Sequence, residues 1–215
     1  MANAVTLTGR TLLKLFYSAT SPFVRKVLVA AIELGLRERI EFVPAKAHVI
    51  DRDRTIIEKN PLGQVPTFIS DDGAVLYDSR VIIEYLDVLG NGKLIPRDGA
   101  ARWSVLTEHS LADGVLNAAL LVRYESALRP EELRWSDWTA AQLDKVACGL
   151  DALETRAARF DERVDLATIA FGCVLGYLDF RFATLGWRDT RPNAAGWFAR
   201  FGDRGSMVAT RPPPA

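Results

Sequence analysis

Apolar and polar positions in the first ninety residues change their spacing several times, and each spacing predicts one element. Residues 13–17 form a short apolar run that is compatible with a buried strand. From Val24 to Ile32 the apolar residues recur at helical spacing, and Gly35 supplies a stop. A second apolar run over residues 40–43, directly before a proline, predicts another short strand.

The elements that follow are predicted from weaker signals. Residues 52–59 are mostly charged and predict a weak helix. A polar SDDG turn between two apolar runs, residues 67–69 and 74–77, predicts a hairpin. Ser79 is predicted to cap a third helix. The order β-α-β-α-β-β-α indicates a compact α/β unit.

After Gly90 the strand signals stop and helical spacing takes over. Helices are predicted at residues 100–127, 137–161, 165–186 and 193–202. The third of them holds an uncharged stretch of 13 residues, LATIAFGCVLGYL, which is shorter than the ~20 that a bilayer requires and predicts a helix buried on all sides. The predicted division is an N-terminal arm (1–11), an α/β domain (12–90), a linker (91–99) and an all-α domain (100–215).

Charge and cysteine content narrow the classes of function. The 27 basic and 27 acidic residues cancel, so nothing favours nucleic acid or an anionic membrane surface, and neither is expected as a partner. Cys148 and Cys173 lie far apart and outside any metal-ligand spacing. We therefore expect a reducing, cytoplasmic location, no metal, and two cysteines that act as small apolar core residues.

Three motifs stand in order along this pattern. Residues 60–66 read NPLGQVP, residues 77–79 read YDS at the start of a helix, and residues 94–96 read LIP in the linker. Together with the element order, they resemble the cytosolic glutathione transferases over nearly the whole chain from about residue 12. The SPFVRK run places the resemblance closest to a bacterial branch with a serine-type site, similar to the zeta and theta classes. The resemblance implies a thioredoxin-like N-terminal domain followed by an all-α C-terminal domain.

The resemblance also implies a set of residues that bind glutathione. The turn at Val65-Pro66, with a cis bond, leaves backbone groups of Val65 free to pair with the glutathione main chain, and Gln64 lies beside it. Asp78 and Ser79 at a helix start hold the γ-glutamyl ammonium and carboxylate. Without the resemblance, each feature has a structural interpretation as an ordinary turn or a helix cap.

Two further residues complete the predicted binding set. His48, or its neighbour Lys46, is expected to supply a cation for the glycyl carboxylate, although a lone loop histidine is more often only solvated. Phe23 is expected to form an apolar wall of the site, and Tyr17 is a second candidate wall.

Ser21 is the candidate catalytic residue. Ser21-Pro22 suits a helix cap followed by proline at the first helical position, and capping alone would explain this serine. In the resemblance it matches the serine of zeta- and theta-like members, whose hydroxyl donates to the glutathione thiolate. Ser18 and Thr20 are the rival hydroxyls, and Tyr17 is a weaker phenolic one.

The resemblance implies an electrophile pocket between the two domains, near the first helix of the helical half, where some of Ser110, Asp113, Asn117 and Arg123 must face the cleft. Arg123 is interpreted either as a pocket cation or, more commonly for such a residue, as an intrahelical ion-pair partner. Asp165 and Thr168 predict a capping box at the start of the uncharged helix.

Three functions remain open. The first is a homodimeric glutathione transferase that uses glutathione as co-substrate against a hydrophobic electrophilic small molecule. The second is a glutathione-dependent isomerase, although such members carry Ser-Ser-Cys where this chain has Ser21-Pro22-Phe23. The third is a non-catalytic interaction module with the same fold.

Overall fold

A mixed four-stranded sheet forms the centre of the first half, in a computed structural model that describes residues 12–214. The predicted arm at residues 1–11 lies outside the described residues. The strand order is β2-β1-β3-β4. The bounds are β1 Leu13–Tyr17, β2 Ile40–Pro44, β3 Thr67–Ile69 and β4 Val75–Leu76.

Strand direction follows the connections. β2 runs parallel to β1, with Leu13 opposite Ile40, because a helix crosses over between them. β3 runs antiparallel to β1, with Leu15 opposite Phe68, and β4 closes the predicted hairpin. The side chains of Leu13, Leu15 and Phe68 are fully buried, so the central strands lie in the core.

Three helices accompany the sheet: α1 (Pro22–Glu33), the short α2 (Arg54–Ile57) and α3 (Ser79–Leu89). The prediction that Ser79 caps α3 is wrong by one residue. The Asp78 carboxylate accepts a hydrogen bond from the Arg80 backbone N–H at 2.9 Å, which makes Asp78 the cap and Ser79 the first helical residue.

The second half is helical, as predicted, with no strand among residues 91–214. Its helices are α4 Gly99–Ala127, α5 Ser136–Ala157, α6 Leu166–Arg181, α7 Pro192–Phe201 and α8 Gly205–Ala209. Three of the predicted helices end earlier than expected, at residues 157, 181 and 201 instead of 161, 186 and 202, and α8 was not predicted.

Helix α6 is buried almost throughout, as the uncharged stretch predicts. Its capping box is confirmed: Asp165 accepts from the Thr168 N–H at 3.0 Å, and the Thr168 hydroxyl accepts from the Asp165 N–H at 2.9 Å. Cys173 in this helix is a buried thiol, and burial raises its pKa to about 11. The prediction for Cys148 is wrong, since it lies exposed on α5.

Helix α1 packs against both halves of the protein. It packs on α3 within the first half and on α6 and α8 of the second. Its first turn therefore lies where the sheet domain and the helical domain meet. None of the helices within residues 12–214 is long and apolar enough to cross a membrane.

Candidate functional site

A cleft of about 950 Å³ opens beside the first turn of α1. One wall consists of the β1–α1 loop, the turn before β3 and the start of α3, and the opposite wall consists of α4 and α6. The residues predicted from the sequence that line it are Ser18, Thr20, Ser21, Phe23, His48, Gln64, Val65, Pro66, Asp78, Ser79, Asp113, Asn117 and Arg123.

Two predicted candidates lie elsewhere. Tyr17 does not line the cleft, because its ring stacks on Phe42 with centroids 4.6 Å apart and planes within 5°. Ser110 lies on α4 but also outside the cleft lining. The apolar wall near the α1 start is therefore formed by Phe23 rather than by Tyr17.

Ser21 is the N-cap of α1, and its hydroxyl oxygen accepts from the Val24 N–H at 3.3 Å. That bond uses one acceptor site only. A serine hydroxyl can donate one hydrogen bond at the same time, and within residues 12–214 the Ser21 proton has no acceptor. Capping and donation to a ligand atom in the cleft are thus compatible roles for the same side chain.

The turn before β3 presents free backbone groups. Val65-Pro66 is a cis bond, as predicted, and within the described residues the N–H and C=O of Val65 have no hydrogen-bond partner. Asn60 stabilises the turn, because its side-chain amide donates hydrogen bonds to the Thr67 hydroxyl at 2.9 Å and to the Gln64 carbonyl at 3.3 Å. The free groups can pair with an extended peptide.

The N-terminus of α3 has features that favour an anion. Ser79 is only 1% exposed, yet its hydroxyl and its N–H have no partner within residues 12–214. Unpaired N–H groups and the helix dipole at this end favour a carboxylate. Asp78 uses one carboxylate oxygen to cap the helix, which leaves the other oxygen for a ligand.

The loop after β2 brings the predicted His48 to the cleft, but not Lys46. Lys46 lies outside the main cleft and pairs with Asp51. His48 lines the cleft, while its Nδ1 accepts from the Asp51 N–H at 3.0 Å. Arg52, which no motif marked, also lines it and donates to the Pro61 carbonyl at 2.8 Å. His48 and Arg52 are the candidates for a second carboxylate.

A charge cluster lies beside the α3 start, with three buried members and one, Arg80, partly exposed at the cleft. Lys26 of α1 is fully buried and donates to the Asp113 carboxylate of α4 and to His109 Nε2, the latter at 2.8 Å. Arg80 donates to the other Asp113 oxygen at 2.9 Å. Of the four, only Asp113 was marked in the sequence; Lys26, Arg80 and His109 were missed because their partners are distant in the chain.

Burial and charge set the protonation of this cluster. Burial, followed by the charge of Lys26, lowers the pKa of His109 to about 3, so the imidazole is neutral and accepts from lysine. Burial opposes ionisation of Asp113, but the Lys26 charge holds the pKa of this carboxyl below its usual value. The cluster thus joins α1, α3 and α4 through an ionised carboxylate.

The opposite wall carries cations. The interpretation of Arg123 as an ion-pair partner is wrong, because Glu125 pairs with Arg129 at 2.7 Å and Arg123 faces the cleft. Tyr177 and Arg181 of α6 line the same wall and were missed in the sequence, where they look like ordinary helix residues.

Among residues 12–214 no group of three or more His, Cys, Asp or Glu residues is arranged to hold a metal ion.

The fold defines a class: a thioredoxin-like sheet domain followed by a helical domain, with a peptide-sized cleft between them. Residues 20–89 match the family profile described as the N-terminal domain of glutathione S-transferase, and residues 136–200 match its C-terminal domain. The uncharacterized GST-like protein YibF of Escherichia coli (strain K12) is 35% identical over 208 residues, covering 94% of this chain and 100% of YibF. The chain belongs to the glutathione S-transferase family.

Solved structures agree with this assignment. A glutathione transferase family member from Pseudomonas fluorescens Pf-5, solved with bound glutathione, is 45% identical with a TM-score of 0.91, covering 94% of this chain and 99% of that chain. A second structure from the same organism, 44% identical with a TM-score of 0.87 and coverage of 94% and 100%, holds S-(propanoic acid)-glutathione.

The family also contains proteins with other names. Human elongation factor 1-gamma is 29% identical over 178 residues, which cover 80% of this chain and 40% of that protein. Family membership and the thioredoxin-like fold are therefore established for this chain.

Proposed function

We propose that this protein is a glutathione transferase that binds reduced glutathione along the cleft and presents its thiolate to an electrophilic small molecule. One observation carries the proposal. Polar groups without a protein partner within residues 12–214 lie along a single cleft: the Ser21 hydroxyl proton, the Val65 backbone and the Ser79 N–H and hydroxyl. They complement the thiol, the cysteinyl main chain and the γ-glutamyl carboxylate of glutathione, respectively.

The proposed chemistry is activation of a thiol. A free thiol has a pKa near ~8.5, so little thiolate exists at neutral pH. A hydroxyl that donates to sulfur, at the N-terminus of the 12-residue helix α1, favours the anion. Ser21 is not the nucleophile in this scheme. The thiolate forms a sulfur–carbon bond with the electrophile. In an addition, a π bond of the electrophile breaks and the product takes up a proton; with an aryl halide, the carbon–halogen bond breaks, halide leaves, and the thiol proton passes to solvent.

The relatives support this scheme. The Pseudomonas fluorescens protein was solved with glutathione and with S-(propanoic acid)-glutathione, a glutathione that carries a substituent on sulfur. For this chain we propose the same ligand, with glutathione as co-substrate and a hydrophobic wall for the electrophile at Phe23.

The test is the Ser21→Ala variant. The thiolate loses one charge-assisted hydrogen bond, about 1.5–3 kcal/mol, so turnover at neutral pH should fall roughly 10- to 150-fold. Glutathione affinity should change little, because the peptide main chain and termini carry binding. Ultraviolet titration of the bound thiolate, together with turnover of a generic aryl halide, measures both effects.

The matched control is Ser18→Ala, which removes a hydroxyl from the same cleft but not from the α1 cap. Its thiolate titration and turnover should match the unmodified protein. Ser21→Ala also removes the cap, at about 1 kcal/mol of stability, so thermal unfolding is measured alongside. An unchanged thiolate pKa in Ser21→Ala would show that Ser21 is only a cap.

A non-catalytic interaction module is the second candidate, favoured by the similarity to elongation factor 1-gamma. It predicts no turnover with any aryl halide, and no retention on immobilised glutathione if the cleft has lost its ligand. The glutathione-dependent isomerase ranks below both, because the chain has Pro22 and Phe23 after Ser21.

We further propose that the protein is a homodimer. Val81 and Val88 lie seven residues apart on one face of α3, and they are 47% and 76% exposed. Glu84 on the same face binds Arg102 at 2.8 Å, next to Trp103, which is 66% exposed. A second copy of the chain would cover these apolar side chains. The cytoplasmic location stays a prediction.

A further inference from the structure

Four residues with hydrogen-bond donors line the wall of the cleft formed by α4 and α6. They are Arg123 and Tyr124 of α4, and Tyr177 and Arg181 of α6. Within residues 12–214, neither guanidinium pairs with a carboxylate, and neither phenol donates to a protein group. Arg181 stacks on the Phe180 ring at 3.9 Å, a contact that leaves its N–H groups available.

The acidic residues of the cleft are already engaged elsewhere. Asp113 binds both Lys26 and Arg80, and Asp78 caps α3. No other aspartate or glutamate among the described residues lines the cleft. The α4–α6 wall is therefore positively charged without a counter-ion from the part of the chain that the structure describes.

The two phenols add donors to this positive wall. Burial raises the pKa of Tyr177 to about 12, and the nearby charges of Arg181 and Arg123 only partly oppose that rise. Burial also raises the pKa of Tyr124. Both phenols are therefore protonated at neutral pH and can donate to a ligand oxygen. Two forked cations and two hydroxyls suit an oxyanion.

We propose that the electrophile of this protein carries an anionic oxygen group, in the simplest case a carboxylate, which Arg123 and Arg181 bind. Tyr124 and Tyr177 donate the remaining hydrogen bonds. This inference rests on the proposed function, because it assigns a substrate class to the same cleft.

The competing occupant of this wall is glutathione itself. Its two carboxylates have other candidate partners, namely the Ser79 end of α3 and the loop with His48 and Arg52. Those groups lie on the sheet-domain wall, whereas the arginines belong to α4 and α6, beside the apolar side chains of Leu120 and Leu121. The proposed anion site therefore lies on the α4–α6 wall, opposite the groups proposed to bind the glutathione carboxylates.

The experiment compares pairs of S-substituted glutathiones that differ by one charge. The probes are S-(2-carboxyethyl)glutathione and S-(4-carboxybenzyl)glutathione, each with its neutral carboxamide, so that two reaches from sulfur are sampled. Calorimetric titration should show that at least one acid binds roughly tenfold more tightly than its amide. This is the gain in affinity expected when a charged carboxylate accepts the hydrogen bonds in place of a neutral amide.

The Arg123→Met/Arg181→Met double variant should reduce this preference below about threefold, while reduced glutathione binds within about twofold of the unmodified protein. The matched control is Arg97→Met/Arg159→Met, which removes the same two charges from exposed positions outside the cleft and should keep the preference.

Three outcomes would overturn the inference: no acid preference in the unmodified protein, a preference that survives the double variant, or an equal loss of reduced-glutathione affinity in that variant. Failure of the proposed function looks different. In that case reduced glutathione does not bind, or the acid preference is present but no electrophile is turned over.

Discussion

His109 makes the stability of this protein depend on pH in a window where few other groups titrate. The imidazole is 3% exposed and accepts a hydrogen bond from Lys26, and burial with the lysine charge lowers its pKa from 6.5 to about 3. Between these values the unfolded chain binds a proton that the folded chain does not. Stability therefore rises with pH through this window and falls when the solution is acidified.

The size of the effect follows from the two pKa values. Each pH unit between them changes the free energy of unfolding by about 1.4 kcal/mol, so acidification from pH 7 to pH 5 costs about 2 kcal/mol through His109 alone. Carboxylates contribute little in this range. Asp113 and Glu33 have lowered folded-state pKa values, so their stabilisation is present above about pH 4 and is lost only below it.

The perturbation is His109→Gln, because glutamine does not titrate and its amide oxygen can still accept from Lys26. Between pH 7 and pH 5, the free energy of unfolding measured in urea should fall by about 2 kcal/mol less in the variant than in the unmodified protein. His48 is the only other histidine, so His48→Gln is the matched control and should keep the full loss. If the free energy of unfolding fell equally in His109→Gln and in the unmodified protein, His109 would not be a buried, neutral imidazole in the folded state.

Two further predictions test packing and assembly. A Cβ on Gly149 would lie 2.2 Å from Val115 Cγ2, so Gly149→Ala should lower the free energy of unfolding by about 1–3 kcal/mol in urea unfolding. Gly114→Ala is the control: its Cβ meets nothing within 4 Å, so it should be neutral or stabilising, and equal effects of the two changes would contradict the close approach of α4 and α5. Val81→Asp/Val88→Asp should convert the proposed homodimer to a monomer in sedimentation equilibrium, and an unchanged mass would exclude this face.

Local signals in the sequence determined much of the fold. Ser21 and Asp165 are caps whose side chains reach backbone N–H groups within three residues, and such short-range hydrogen bonds leave a readable spacing. Short-range signals also mark β1, which is a short apolar run, and the hairpin, where the SDDG turn separates two apolar runs. Serine and aspartate both suit the cap position of α3, so the sequence does not separate Ser79 from Asp78, and only the backbone geometry does.

Long-range partners could not be predicted in this way. Lys26 has the appearance of a solvated helix residue, and its burial depends on Asp113, 87 residues further along the chain. Arg123 and Arg181 come from different helices, so their shared wall exists only after α4 packs on α6. The candidate glutathione-binding residues were predicted from motifs, whereas the α4–α6 wall carries no motif.

The cluster of Lys26, Arg80 and Asp113 limits how this chain can be recombined with its relatives. A chimera joined in the linker would take Lys26 from one parent and the α4 carboxylate from another. If that parent lacks the carboxylate, a lysine is left alone in the interior, at a cost of about 3–5 kcal/mol. A crossover placed after Asp113 keeps the cation and its carboxylate together. For this cluster, the unit of exchange is therefore the sheet domain plus the first half of α4, rather than the sheet domain alone.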